Sequence, residues 1–210
     1  MAEYNIPLLP GGIYHIYNHA ISSENLFDTD KDYNYFLGKM HHYILPVGDV
    51  LAYCLMPNHY HLLINFKTEN EIKSFLKNKI KHAKSIEELS AENADYLSNQ
   101  ISQVFSNLFN TYSKHYNFIN RRTGSLFKRN FRRKAVDTHD YLQQLICYIH
   151  QNPVAAGMVS DLKQWKYSSY ESVISNNNSI VDSKATVDVF DNLDNFIFCH
   201  RKMTEHDLDA

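Results

Sequence analysis

His59 and His61 stand one residue apart in the run YCLMPNHYHLLI, residues 53–64. The run reads as strand on either side of a Pro57-Asn58 break, and side chains alternate faces along a strand. The two imidazoles therefore point the same way, about 7 Å apart along the backbone, while Tyr60 points to the other face. Two imidazoles converging from one rigid strand can hold a divalent metal ion. The same spacing also suits a polar surface pair, and the strand alone leaves both readings open.

A second group of polar residues lies at Tyr148 and Asn152, four apart and hence on one face of a helix. A tyrosine hydroxyl can attack phosphorus and form a covalent phosphotyrosine. With a free pKa of about 10 it is a weak nucleophile at neutral pH, and a nearby metal would help while polarising the phosphate. An amide oxygen from Asn152 could complete a ligand set with His59 and His61. Two histidines and an amide oxygen, with positions left for phosphate and water, suit Mn²⁺ or Mg²⁺ better than a closed zinc site. Against this, a helical tyrosine beside Ile146 and Ile149 is commonly a packing residue. Asn152 also precedes Pro153, and residues before proline avoid the helical region. His150, two positions from Tyr148, should face away from it.

The chain has 210 residues, 44% hydrophobic and 21% charged, with a formal net charge of −2. That balance fits a globular chain of one domain, or one domain with an appendage. The near-zero total hides an uneven distribution. Arg121, Arg122, Lys128, Arg129, Arg132, Arg133 and Lys134 lie in one stretch without an acidic residue, whereas Asp182, Asp188, Asp191, Asp194, Glu205, Asp207 and Asp209 crowd the C-terminal end. The basic stretch can track phosphates, and Phe127 and Phe131 within it can stack on bases or anchor it in a core. Lys73, Lys77, Lys79 and Lys81 look like an ordinary solvated helix face. Cys54, Cys147 and Cys199 are scattered and form no CxxC pair, which suggests reduced thiols in a cytoplasm. Neither a secretory signal nor a membrane span is expected.

The elements that must position these groups follow from periodicity. Strands are expected over 12–20, 49–56 and 59–66, and an extended basic segment over 125–136 feeds another. Helices are expected over 30–45 with Asp30 as N-cap, over 69–84, over 101–116, and over 138–151 with Thr138 as N-cap. A further short helix could start at 154–159. Residues 85–100 read as loop with short helix. The Ile101, Val104, Phe105, Leu108, Phe109, Tyr112 and Tyr116 stripe reads as core. Residues 1–174 read as one α+β domain, a ferredoxin-like antiparallel sheet with helices packed on one side. Residues 175–210 read as a polar linker and a loosely attached acidic tail. His15 and His19 fall on the first strand, next to the histidine pair; His15 could support it from behind or be structural.

Three runs in this order, YCLMPNHYHLLI, GSLFKRNF (124–131) and YIHQNPVAAGMV (148–159), resemble signatures of the single-tyrosine HUH transposases, most closely the branch associated with repetitive extragenic palindromes. The resemblance spans residues 12–170. It implies a ferredoxin-like sheet with the histidine pair on a central strand, a Mg²⁺ or Mn²⁺ ion, and a nucleophilic tyrosine on a downstream helix. It also implies cleavage of one DNA strand beside a hairpin, with a 5′-phosphotyrosine and a released 3′-OH, followed by rejoining. His59 and His61 match the metal histidines and Tyr148 the nucleophile. Asn152 matches the position of a polar third ligand that is often Gln or Glu in relatives. Ala155 stands where relatives commonly carry Arg, so one basic contact is missing. The partner implied is single-stranded, hairpin-bearing DNA, bound by a monomer or homodimer. Two rival readings remain at this level: a hairpin-binding protein without catalysis, and hydrolytic nicking by a metal-bound water.

Overall fold

The computed structural model describes residues 6–79, 95–177 and 180–202. Four strands, β1 (Ile13–His19), β2 (Gly48–Met56), β3 (His59–Phe66) and β4 (Arg132–Ala135), form one antiparallel sheet in the order β2-β3-β1-β4. β1 and β3 are central and adjacent. Their register sets His19 opposite His59 and Tyr17 opposite His61. Helix α1 (Asp30–Tyr43) links β1 to β2. Helices α2 (Glu69–Lys79) and α3 (Tyr96–Ile119) lie between β3 and β4, and α4 (His139–Ala155) follows β4. This is the α+β arrangement expected from the element pattern. The start of α1 differs by one residue: Thr29 is the N-cap, and its N–H donates to Asp32 Oδ2 at 2.8 Å. Residues 80–94, on which part of the expected second helix, Lys81 and most of the polar loop fall, lie outside the described residues, as do 203–210.

The expectation of helices on one side of the sheet is corrected. Adjacent strand residues point to opposite faces, and Tyr60 and His61 each meet helices. Tyr60 is fully buried against Phe36 of α1 and Phe109 of α3, with ring centroids 5.6 and 5.3 Å away. His61 meets Tyr148 of α4 on the other face. The α3 stripe supplies most of the first layer, where Ile101, Phe105, Leu108 and Tyr112 are completely inaccessible. Burying each such side chain stabilises the fold by about 1.5–3 kcal/mol. Phe131 joins this layer against Phe105 and Phe109, and Phe127 packs on Tyr60 and Phe109. These two phenylalanines anchor the basic segment in the core.

The described residues that follow α4, up to 202, are packed on the sheet. The chain after α4 forms a short 3₁₀ turn (Leu162–Gln164), then α5 (Tyr170–Ile174), α6 (Ser183–Asp188) and α7 (Leu193–Lys202). No separate helix starts at 154; Val154 and Ala155 still belong to α4, and Gly157, at φ +67°, stands just beyond its end. Leu55 N–H donates to Tyr167 O, Asp182 N–H to Val50 O, and Thr186 Oγ1 to Leu51 O, so this region covers β2. Phe190 and Phe196 are inaccessible. Polar composition hid these few large apolar anchors.

A buried chain of hydrogen bonds joins the layers. His200 Nδ1 lies 2.7 Å from Phe196 O, which only accepts, so Nδ1 carries the proton and His200 Nε2 accepts from His150 Nδ1 at 2.8 Å. His150 Nε2 then accepts from the Ser169 hydroxyl at 2.7 Å, and Ser169 Oγ accepts from Tyr53 N–H of β2 at 2.9 Å. Every ring nitrogen is satisfied with both imidazoles neutral. Burial, with repulsion from His200, pushes His150 well below its ordinary pKa; burial pushes His200 down to about 4 despite its bond to Phe196 O.

Two predictions follow from these buried groups. A histidine held neutral takes up a proton only on unfolding, so stability is full above about pH 6.5 and is lost as pH falls from 6.5 toward 4. Each such histidine contributes a slope of up to about 1.4 kcal/mol per pH unit. Thermal melts from pH 7.5 to 4.5 should show a steadily falling Tm; a flat profile would mean these rings titrate in the fold as they do in the unfolded chain. The Tyr60 hydroxyl is buried without a hydrogen-bond partner among the described residues. Tyr60→Phe removes an unsatisfied group and should leave urea-unfolding stability unchanged or raise it by about 1 kcal/mol; a comparable loss would reveal a partner for the hydroxyl.

Candidate active site

Alternation along β1 puts His15, Tyr17 and His19 on the same face as His59 and His61, and the register brings them together. His19 and His59 stack with centroids 4.9 Å apart, and His15 and His61 at 5.1 Å. His59 and His61 stand edge to face at 5.2 Å. His15 and His19 were visible as neighbours in the sequence; Tyr17, 4.6 Å from His15, was missed, although its place between them at a spacing of two already put it on their face.

Hydrogen bonds orient the pair. Asn58 Oδ1 accepts from His59 Nδ1 at 2.7 Å, which leaves His59 Nε2 as a lone-pair donor to any ion. His61 Nδ1 lies 2.9 Å from His15 Nε2. When His61 donates in that bond, its own Nε2 is also free to coordinate. His15 thus stands behind the His61 ring within hydrogen-bond distance. The rings are kept uncharged. Burial, then repulsion from Lys134, lowers His15 to about 3. Burial, then His19, lowers His59 to about 4, partly offset by Asn152. His61, buried and surrounded by His15, His59 and His19, is pushed well below its usual value. Neutral imidazoles are the form that binds metal.

Tyr148 and Asn152 share one face because α4 continues through Pro153. Proline removes the N–H that would serve the Ile149 carbonyl. The Asn152 side chain partly replaces it: Nδ2 donates to Tyr148 O at 2.8 Å and reaches Ile149 O at 3.5 Å. The same amide lies beside both the His59 ring and the Tyr148 hydroxyl, close enough to shift both groups. The Tyr148 ring stands edge-on to His61, with centroids 5.6 Å apart, and is half-buried. Burial raises the phenol pKa, Asn152 lowers it and Tyr141 raises it, with a net upward shift. His150 faces away, as its spacing requires. Among the described residues, no three His, Cys, Asp or Glu side chains converge to hold an ion.

The cations divide. β4 pairs with β1, placing Arg132 opposite Tyr17 and Lys134 opposite His15, on the histidine face. Burial, then repulsion from Lys128 and Arg132, lowers His19. Arg133 points to the other face, where Nη1 donates to Ser102 Oγ at 2.9 Å. Arg122 clasps its own turn, donating to Asn117 Oδ1 and Ser125 O at 2.8 Å each and pairing with Glu24. Arg121, at φ +51°, and Arg129 are exposed.

The fold is shared with a tyrosine transposase. A REP-associated tyrosine transposase solved bound to a REP hairpin superposes with a TM-score of 0.53 at 15% identity, over 83% of this chain and 86% of that one. No family model and no curated protein sequence matches the chain. At that identity the likeness is one of fold. Among the described residues, no helix is long and apolar enough to cross a membrane.

Proposed function

We propose that this protein is a metal-dependent DNA strand transferase of the tyrosine HUH type, acting on single-stranded DNA beside a hairpin. The observation that carries the reading is the meeting, within one chain, of the Tyr148 phenol, the Asn152 amide and the paired His59 and His61 imidazoles. The fold shared with a hairpin-bound transposase and the cations beside the histidines support it.

In this reading the Tyr148 oxygen attacks a backbone phosphorus. A P–O bond to Tyr148 forms while the bond to the 3′-oxygen breaks. The phenol proton leaves to solvent and the departing 3′-oxygen takes one up, giving a 5′-phosphotyrosine and a free 3′-OH. Rejoining is the reverse, with a 3′-OH attacking the phosphotyrosine. A phenol is protonated at neutral pH and burial raises this one further, so the step needs positive charge close by. Lys128, Arg132 and Lys134 draw in and hold the phosphates. His59, His61 and the Asn152 amide oxygen would hold Mg²⁺ or Mn²⁺, which supplies Lewis-acid stabilisation of charge on the scissile phosphate. Asn152 would orient the phenol and His15 would steady His61.

Single-stranded hairpin oligonucleotides incubated with the protein and Mn²⁺ should yield a covalent adduct on denaturing gels. Tyr148→Phe should abolish it, and His59→Ala should reduce it by roughly 10²–10³-fold. An adduct persisting in Tyr148→Phe removes that residue from the nucleophile role, and cleavage without any adduct points to water instead. His15→Phe keeps the ring volume but drops the bond to His61; Mn²⁺ titration followed by electron paramagnetic resonance should show affinity about 10–100-fold weaker. Unchanged affinity would make His15 merely structural.

A further inference from the structure

On the face of the sheet away from the histidines, α3 and residues 124–133 enclose an open groove of about 720 Å³. That is within the range of pockets that take small organic ligands. One wall is a stripe of short polar side chains along α3, Ser102, Ser106, Asn110, Ser113 and Asn117, at helical spacing. The opposite wall carries Lys128, Asn130 and half-buried Phe127. This polar stripe is a second face of the helix whose apolar face builds the core.

Arg133 fixes a positive charge in the groove wall. Its guanidinium stands 4.4 Å over the Phe131 ring and is tied to Ser102, yet its Nε is buried and without a hydrogen-bond partner among the described residues. The side chains of Asn110 and Ser113 make no hydrogen bond to another described residue and face the groove. Lys114 adds a third cation, after Lys128 and Arg133. Cations for phosphate, amides for base edges and an aromatic surface are the features that single-stranded nucleic acid uses.

Topology connects this groove with the candidate active site. β4 is an edge strand, and alternation sends Arg132 and Lys134 to the histidine face and Arg133 to the groove. A polynucleotide rounding that edge meets cations on both sides. We propose that the groove receives an unpaired nucleotide of the same DNA molecule whose strand is cut at Tyr148, so that unpaired DNA beside the hairpin is held on both faces of the sheet. This assignment rests on the strand-transferase reading for the identity of the polynucleotide.

The test compares two oligonucleotides with one shared hairpin, blunt or carrying single-stranded extensions at both ends, by fluorescence anisotropy with the full chain. The extended form should bind about tenfold or more tightly. Asn110→Phe, which fills the groove, should erase that advantage, whereas Asn107→Phe, an exposed position on the same helix outside the groove, should keep it. Should Asn110→Phe lower the melting temperature, Lys114→Ala serves instead and should cut the advantage at least severalfold. An iodouracil in the extension should cross-link to a peptide from 102–117 or 124–133. An advantage that survives both groove variants, or no advantage in the wild type, overturns the groove assignment while leaving Tyr148 adduct formation as it stands. Failure to bind either oligonucleotide sinks the strand-transferase reading and this inference together.

Discussion

The register between β1 and β3 is the constraint on which the rest depends. Side chains alternate with a period of two, so a one-residue slip would turn every histidine of one strand into the aromatic layer. In the observed register His19 faces His59 and Tyr17 faces His61. The pairing is held by the core on the other side: Ile16, Tyr60, Leu62 and Ile64 point into it and are fully inaccessible. The apolar face thus fixes the polar one. Burying His15 and His61 is costly, and the apolar packing on the opposite face of the same two strands offsets it.

Burial then decides the chemistry of that patch. Histidines in water would be partly protonated near neutral pH, and four of them together would repel. Inside the sheet–α4 interface, desolvation and mutual repulsion act in the same direction and hold the rings neutral. Neutral rings must hydrogen-bond one another or a neighbour, and they do, through His15–His61 and Asn58–His59. Those bonds settle which nitrogen of each ring is turned outward. Asn152 plays a comparable part on α4. By donating to carbonyls near the gap left by Pro153, it lets the helix run past a proline that would otherwise end it, and so keeps itself on the face of Tyr148.

Much of this was legible in the sequence. The strand with its histidine pair, the Thr138 cap and the shared face of Tyr148 and Asn152 follow from period and spacing. What was not legible is pairwise. Nothing in the local pattern of β1 says that Tyr17 stands opposite His61. The basic stretch reads as one patch, but β4 alternation splits it between two faces, and Arg122 is spent on its own turn. The segment after residue 175 looks loose because its polar residues outnumber its anchors, yet Phe190, Phe196 and His200 are each completely enclosed. Burial of a few large side chains outweighs average composition.

The two edges of the sheet also differ in kind. Unpaired strand edges invite association with other chains, and proteins cover or charge them. The β2 edge is covered: Tyr167, Ser169, Asp182 and Thr186 take up its backbone groups, and the His150–His200 relay ties that cover to α4. The β4 edge instead bears Arg132, Arg133 and Lys134, which deter another strand but attract phosphate. The relay that anchors the cover runs through the same helix that presents Tyr148. The cover on β2 and the position of the phenol are therefore parts of one packed unit, while the opposite edge carries the cations.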